Sequence, residues 1–150
     1  MQTMNKTFMQ KAIENAKTVE KDIPVSAIIV RNNKILCLCH NQKEENQNAT
    51  FHAEILAIQE ASKILNSWRL DDCDMYVTLE PCPMCASAII QARIKHLYFG
   101  SFDNLYGALG SKLDLRKMYN SSLIVKGGIM EEECNEILNN YFERMRSEKN

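Results

Sequence analysis

The sequence lacks any long apolar stretch. No segment approaches the ~20 consecutive apolar residues that a membrane-spanning helix needs, and the N-terminal segment MQTMNKTFMQKAIENAKTVEKD contains no apolar run of the kind found in secretion signals. We therefore expect a cytoplasmic protein with no membrane partner. Internal repeats and linkers are absent as well, and a chain of 150 residues suits one domain spanning residues 1–150.

An excess of charge of one sign is also missing. The 18 basic and 19 acidic side chains leave a formal net charge of −1, so no overall field attracts a polyanion such as nucleic acid. Any surface that binds nucleic acid must be local, and short basic clusters are more often ordinary solvated faces. The clusters in this chain are Arg93 with Lys95, Lys112, Arg116 with Lys117, and Arg144 with Arg146.

Histidine is scarce, whereas cysteine is not. The chain has 3 histidines and 6 cysteines, and in a reducing compartment we expect the cysteines to be buried thiols or metal ligands rather than disulfides. The histidines at positions 40 and 96 are most simply explained as surface or packing residues. Four cysteines are expected to be buried thiols, and the alternative that one of them is a fourth metal ligand stays open. These are Cys37, Cys39, Cys73 and Cys134.

Hydrophobic periodicity predicts alternating helices and strands. A hairpin is predicted around Asn32 and Asn33, and strand, helix and strand in close succession indicate a parallel pairing with helices lying across the sheet. Thr50 is predicted to cap the second helix. The predicted helices cover 5–21, 51–66, 82–92 and a last segment after Gly128, and the strands are VSAIIV, KILCLC, DMYVTL, IKHLYFG and SLIVKG. A long loop with one helical turn is expected over 101–120.

The stretch EPCPMC, residues 80–85, places two cysteines at the start of a helix. Pro83 suits the first helical position because its missing N–H has no intrahelical partner there. Cys82 then lies at the helix start and Cys85 one turn later, so both sulfurs face the same way. The free N–H groups and the helix dipole stabilise thiolates, which is the form that binds metal.

The HAE triplet opens the preceding predicted helix and supplies a third ligand, His52. Both helices follow strands of one sheet, so we expect their N-termini to converge on a single zinc site with three protein ligands and an open position for water. Glu54 lies about 200° around the helix from His52, and we therefore expect it to reach this water rather than the metal. Zinc lowers the pKa of a bound water, and a neighbouring carboxylate can take up and return the proton of that water. This combination of groups is typical of a hydrolytic deaminase.

A structural zinc site is the competing interpretation. If one of the other cysteines completed a four-ligand shell, the metal would be closed to water, and the protein would be an interaction module rather than an enzyme. Each motif alone is commonplace, but His-x-Glu at one helix start and Pro-Cys-x-x-Cys at the next form a combination typical of zinc nucleobase deaminases.

At these motifs the chain resembles the bacterial tRNA-specific adenosine deaminases of the cytidine deaminase-like superfamily, over roughly residues 5–146. The resemblance implies a three-layer α/β/α sandwich with a central mixed five-stranded sheet. It also implies a homodimer with one zinc and one catalytic water per subunit. This enzyme would hydrolyse an amidine C–N bond and convert adenosine to inosine at the wobble (first anticodon) position of a tRNA. The matching segments are PVSAIIV, HN, FHAEILAI, SWRL, YVTLEPCPMCASAIIQARI, YFGSFD, GALGS and GGIMEEEC.

The resemblance also assigns roles to individual residues. His52, Cys82 and Cys85 would hold zinc, and Glu54 would shuttle protons. The resemblance further implies that Asn41 hydrogen-bonds the inserted base and that Asp103 lies near the flanking nucleotides.

The chain departs from the family at three positions. Leu105 stands where relatives commonly have a phosphate-binding lysine, and Phe51 and Ser26 replace smaller residues near the expected pocket. Deamination of a free base or nucleoside, such as cytosine, guanine or cytidine, therefore remains the alternative activity.

Overall fold

A mixed five-stranded sheet forms the centre of the computed structural model, which describes residues 2–149. The strand order is β2-β1-β3-β4-β5. β1 pairs antiparallel with both β2 and β3, whereas β3, β4 and β5 run parallel to one another. This arrangement confirms the predicted mixed sheet. The strands are β1 Ser26–Arg31, β2 Lys34–His40, β3 Cys73–Leu79, β4 His96–Ser101 and β5 Ile124–Lys126.

Helices cover both faces of this sheet and complete the predicted three-layer α/β/α sandwich. The helices are α1 Lys6–Ala16, α2 Ala53–Leu65, α3 Pro83–Gln91, α4 Leu115–Tyr119 and α5 Glu131–Glu148. Alternation along β1 separates two cores, because Ala27 and Ile29 pack on the side of α2 and α3, whereas Ile28 and Val30 pack on the side of α1 and α5. None of the helices within residues 2–149 is both long and apolar enough to cross a bilayer.

The hairpin between β1 and β2 confirms the prediction made from its two asparagines. Asn32 and Asn33 have φ angles of 52° and 59°, the left-handed conformation that a two-residue type I′ turn requires at both central positions. Asparagine tolerates this conformation better than other non-glycine residues. The turn fixes the register in which β2 lies along β1 as an edge strand.

The boundary of α2 differs from the prediction. The helix begins at Ala53, whose backbone N–H donates a hydrogen bond to the side chain of Asn41 and not to that of Thr50. The Thr50 hydroxyl instead donates to Asn48 within the preceding loop. The predicted Thr50 cap was therefore wrong, because a side chain distant in sequence already satisfies the end of the helix.

Candidate active site

Two helix N-termini meet at the carboxyl end of β3. His52 is the N-cap of α2, and Cys82 is the N-cap of α3 with Pro83 directly after it. Both caps have extended backbones, and neither side chain makes a capping hydrogen bond at its own helix start, so both remain available to a ligand. The helix ends direct N–H dipoles toward the same place, which favours negatively charged sulfur there. The predicted convergence of the two motifs is confirmed.

The three predicted metal ligands lie at zinc-binding distances from one another. Their donor atoms are all within 4.8 Å of one another, and Nδ1 of His52 lies 3.7 Å from Sγ of Cys82 and 3.5 Å from Sγ of Cys85. Tetrahedral zinc with ordinary Zn–N and Zn–S bond lengths holds nitrogen and sulfur about 3.5 Å apart. The donor set and its spacing therefore fit zinc with little rearrangement.

The ionisation of these groups is already biased toward metal binding. Hydrogen bonds from Cys85 and His52 lower the pKa of the Cys82 thiol to about 4. The hydrogen bond to Cys82 raises the pKa of the His52 imidazole, and the same neighbouring sulfur raises the pKa of Cys85. A thiolate therefore exists at neutral pH before any cation arrives, and metal binding displaces the remaining protons.

Glu54 lies beside these ligands and is 4% exposed. Burial is the main reason that the pKa of its carboxyl is raised to about 7, and the charge of Cys82 adds to the shift. A raised carboxyl pKa favours the protonated form up to neutral pH, so this group can both release and accept a proton under physiological conditions. Glu54 lies beside the cluster and is not one of its three candidate ligands, and its role as proton carrier stays a prediction.

The other cysteines lie away from this cluster. Within residues 2–149, only His52, Cys82 and Cys85 bring three candidate ligand atoms together, so the structure offers no fourth side chain to close the shell. The Cys37 and Cys39 thiols instead face the middle of α2, and they donate to the carbonyl of Ala57 and to the carboxylate of Glu60. The arrangement favours an open metal site over a closed structural one.

Comparison with known proteins agrees with this geometry. Residues 2–101 match the family described as the cytidine and deoxycytidylate deaminase zinc-binding region. The chain is 39% identical to a tRNA-specific adenosine deaminase of Bacillus subtilis, over 98% of this chain and 94% of the relative. The chain belongs to the tRNA-specific adenosine deaminase family. This membership makes it a zinc-binding hydrolytic deaminase.

Two solved structures with different activities are similar to this deaminase. One comes from work on A-to-I editing by tRNA:A34 deaminases at the wobble position, with a TM-score of 0.83 and 35% identity over 89% of this chain and 100% of that one. A guanine deaminase from Bacillus subtilis has a TM-score of 0.63 and 36% identity over 67% of this chain and 66% of that one. The structure from the work on tRNA:A34 deaminases therefore matches a larger share of this chain than the guanine deaminase does.

Asn41 has a structural task in this deaminase. Its Oδ1 accepts a hydrogen bond from the backbone N–H of Ala53 at 2.8 Å, and its Nδ2 donates to the carbonyl of Ile23 at 3.0 Å. The side chain therefore ties the segment before β1 to the start of α2, directly next to His52. Sequence reasoning did not identify this role because the bonded groups are distant along the chain.

Replacing Asn41 is expected to weaken the fold. Asn41→Ala removes both side-chain bonds and leaves the first N–H of α2 without its acceptor, so the free energy of unfolding should fall by about 1–2 kcal/mol. Asn41→Asp keeps the acceptor oxygen and should lose less. Urea denaturation of both variants measures the difference, and equal midpoints for Asn41→Ala and the wild type would contradict the assigned cap.

Glu80 is a site residue that the sequence did not reveal. It is 2% exposed, and its carboxylate accepts hydrogen bonds from the backbone N–H groups of Asp103, Leu109 and Ser111 at 3.1, 3.2 and 3.1 Å. The Ser111 hydroxyl donates to the same carboxylate. One buried carboxylate thus holds the loop after β4 against the segment that carries Cys82. A lone glutamate at the end of an apolar strand, in TLEPC, was the available signal.

Glu80→Gln is expected to destabilise the protein. An amide in place of the carboxylate turns one acceptor into a donor facing N–H and O–H donors, so two of the four bonds are lost. The free energy of unfolding should fall by at least about 3 kcal/mol, since bonds to a buried charge contribute about 1.5–3 kcal/mol each. Glu143→Gln on the exposed surface of α5 is the matched control. Equal urea midpoints for the two variants would contradict the role of Glu80.

Ser26, one of the departures from the family, and Asp103, a predicted substrate-binding residue, also have structural roles. The Ser26 side chain points to the α1 side of the sheet, where its hydroxyl accepts from Asn15 and donates to the carbonyl of Cys39, so it does not line the space around His52. Asp103 lies at the start of the loop held by Glu80, and its Oδ1 caps the following turn.

Proposed function

We propose that this deaminase converts adenosine to inosine at the wobble position of tRNA, using His52, Cys82 and Cys85 as zinc ligands and Glu54 as the proton carrier. The single observation that carries the proposal is the near-full-length similarity to a tRNA-specific adenosine deaminase, coupled with a three-ligand cluster beside a buried glutamate. The proposal also assigns residues 1–150 to a single deaminase domain.

The reaction consumes water and releases ammonia. His52, Cys82 and Cys85 would hold zinc, which when bound would supply a water activated for addition to C6 of adenine. Glu54 takes up one proton of that water and delivers it to the ring nitrogen, then takes the second proton from the hydroxyl group added at C6 and delivers it to the departing amine, which leaves as ammonia. A carboxyl pKa of about 7 suits a group that must accept and release a proton in one cycle.

The substrate must present its base outside a stack. An unpaired anticodon-loop nucleotide does so at the lowest cost, because extruding a stacked base costs a few kcal/mol. Asn41 is proposed to hydrogen-bond the inserted base, since its amide group lies next to His52 and has a second N–H to donate. Asp103 is proposed to lie near the flanking nucleotides, as part of the loop bonded to Glu80.

A direct substrate comparison tests this proposal. Wild-type protein is offered an RNA anticodon stem-loop with adenosine at the wobble position, beside free adenine, cytosine and guanine, and ammonia release is measured for each. We expect ammonia only from the stem-loop, with inosine at the target position. Release from guanine alone would support the second candidate activity, free-base deamination, which is favoured by the similarity to the guanine deaminase.

Assembly and location follow from the same assignment. A homodimer is supported by the apolar surface where α3 and α4 meet, since Met84 and Met118 are 37% and 70% exposed beside the contact between Ser87 and Tyr119. Sedimentation of the purified protein measures the assembly. A cytoplasmic location is supported by a tRNA substrate and by the six cysteines, all of which are free thiols.

A further inference from the structure

The loop between β4 and α4 presents an aromatic tip, and the one basic residue of this loop, Lys112, follows the tip. Leu105 is 73% exposed and Tyr106 is 66% exposed, and the segment from Ser101 to Ser111 contains one acidic and no basic side chain. Large exposed apolar side chains next to a catalytic cluster are typical of a binding surface. A tip of this composition is suited to contact the face of a base rather than a phosphate group.

The backbone on both sides of Tyr106 is fixed to the active-site segment. Before it, Oδ1 of Asp103 accepts from the N–H groups of Leu105 and Tyr106, each at 3.0 Å. After it, Gly107 packs so closely against the carboxyl of Glu80 that a Cβ atom would overlap with it. The backbone of Tyr106 is therefore held in place, while its side chain is exposed.

The same loop is tied to the residue before a zinc ligand. The N–H of Ala108 donates to the carbonyl of Pro81 at 2.9 Å, and Pro81 directly precedes Cys82. Only Gly107 separates Tyr106 from Ala108 along the chain. Tyr106 is thus two residues from a main-chain bond to the segment that carries Cys82, on a loop that borders the cluster of His52, Cys82 and Cys85.

We infer that Tyr106 is a substrate-binding residue on which an unpaired base flanking the target adenosine stacks. This inference rests on the proposed function, since it requires a single-stranded RNA substrate. Proteins that bind single strands commonly stack successive bases on aromatic side chains, and Tyr106 is a preorganised example because its loop is held by Glu80 and Asp103. The contact contributes affinity without adding charge.

The test measures the affinity of Tyr106→Ala for an RNA anticodon stem-loop, in a Glu54→Gln background that prevents turnover. Loss of one stacked base should raise Kd by about 5- to 150-fold. Tyr106→Phe keeps the ring and should restore most of the affinity. Trp68→Ala is the matched control, because Trp68 is 61% exposed and lies past the end of α2 opposite His52.

Abasic substrates identify the stacked base. Each loop nucleotide beside the target adenosine is replaced in turn by an abasic unit, and Tyr106→Ala is compared with the same background lacking this change. When the abasic unit replaces the stacked base, the two proteins should have the same Kd for the stem-loop. When it replaces any other nucleotide, Tyr106→Ala should still have the higher Kd. The difference should also be the same at low and high salt, since stacking releases no counterions.

Several results would overturn the inference. An unchanged Kd for Tyr106→Ala would do so, as would a loss that persists on every abasic substrate. A shift in sedimentation on Tyr106→Ala would assign the ring to contact between copies of the chain instead. A wild-type protein that neither binds nor deaminates the stem-loop would overturn the proposed function as well, whereas wild-type activity with an unaffected Tyr106→Ala would overturn the stacking alone.

Discussion

Glu54→Gln is expected to slow deamination strongly while zinc stays bound. The amide keeps the size of the side chain but cannot accept the proton of water, so the rate should fall by about 10²- to 10⁴-fold. The metal should remain, because the His52, Cys82 and Cys85 donors are unchanged and Glu54 is not part of their cluster. Inosine formation on the stem-loop and zinc content per chain are the two measurements.

The control for Glu54→Gln lies on the same helix. Glu60 is an exposed glutamate of α2, away from the helix N-terminus, and Glu60→Gln should retain wild-type turnover. A Glu54→Gln protein with full zinc and undiminished turnover would contradict the assigned proton transfer and would favour a structural role for the metal. Loss of zinc together with activity would instead make Glu54 a contributor to metal binding.

Cys82→Ser is expected to remove both the metal and the activity. The Cys82 thiol has the lowered pKa of about 4, so it supplies the thiolate that first attracts the cation. Loss of a partner that only orients a ligand costs about 10- to 100-fold in metal affinity, and loss of a ligand should exceed that. Zinc content should fall toward zero, and the melting temperature should fall with it, because metal binding stabilises the folded state.

A buried cysteine outside the cluster provides the comparison for Cys82→Ser. Cys73 at the start of β3 is 1% exposed, and burial raises the pKa of its thiol to about 11, so it is not a thiolate at neutral pH. Cys73→Ala should cost some stability through lost packing yet keep a full complement of zinc. Full zinc content in Cys82→Ser, or zinc loss in Cys73→Ala, would contradict the assigned ligand set.

The parts of this protein that sequence predicted share one property, which is that the signal is local. The Asn32–Asn33 turn is defined by two neighbouring residues. Cys82 and Cys85 are one helical turn apart, and each metal motif is recognisable by itself even though His52 and Cys82 are 30 residues apart. Convergence then followed from the topology, because both helices start at the same edge of one sheet.

The parts that sequence did not predict depend on contacts between distant segments. Asn41 bonds to a helix start 12 residues later, and Glu80 bonds to a serine 31 residues later. A single polar side chain carries no pattern that indicates its distant partner, so neither bond is visible before the chain is folded. The wrong cap at Thr50 has the same origin, since the local rule was overridden by Asn41.

The way Glu80 holds its loop bears on how substrate preference can change. Three of its four bonds go to main-chain groups, which every residue type except proline provides. The side chains of Asn104, Leu105 and Tyr106 can therefore be exchanged while the loop keeps its backbone conformation. A randomised library restricted to those three positions should yield catalysts with new RNA sequence preferences and an intact reaction centre.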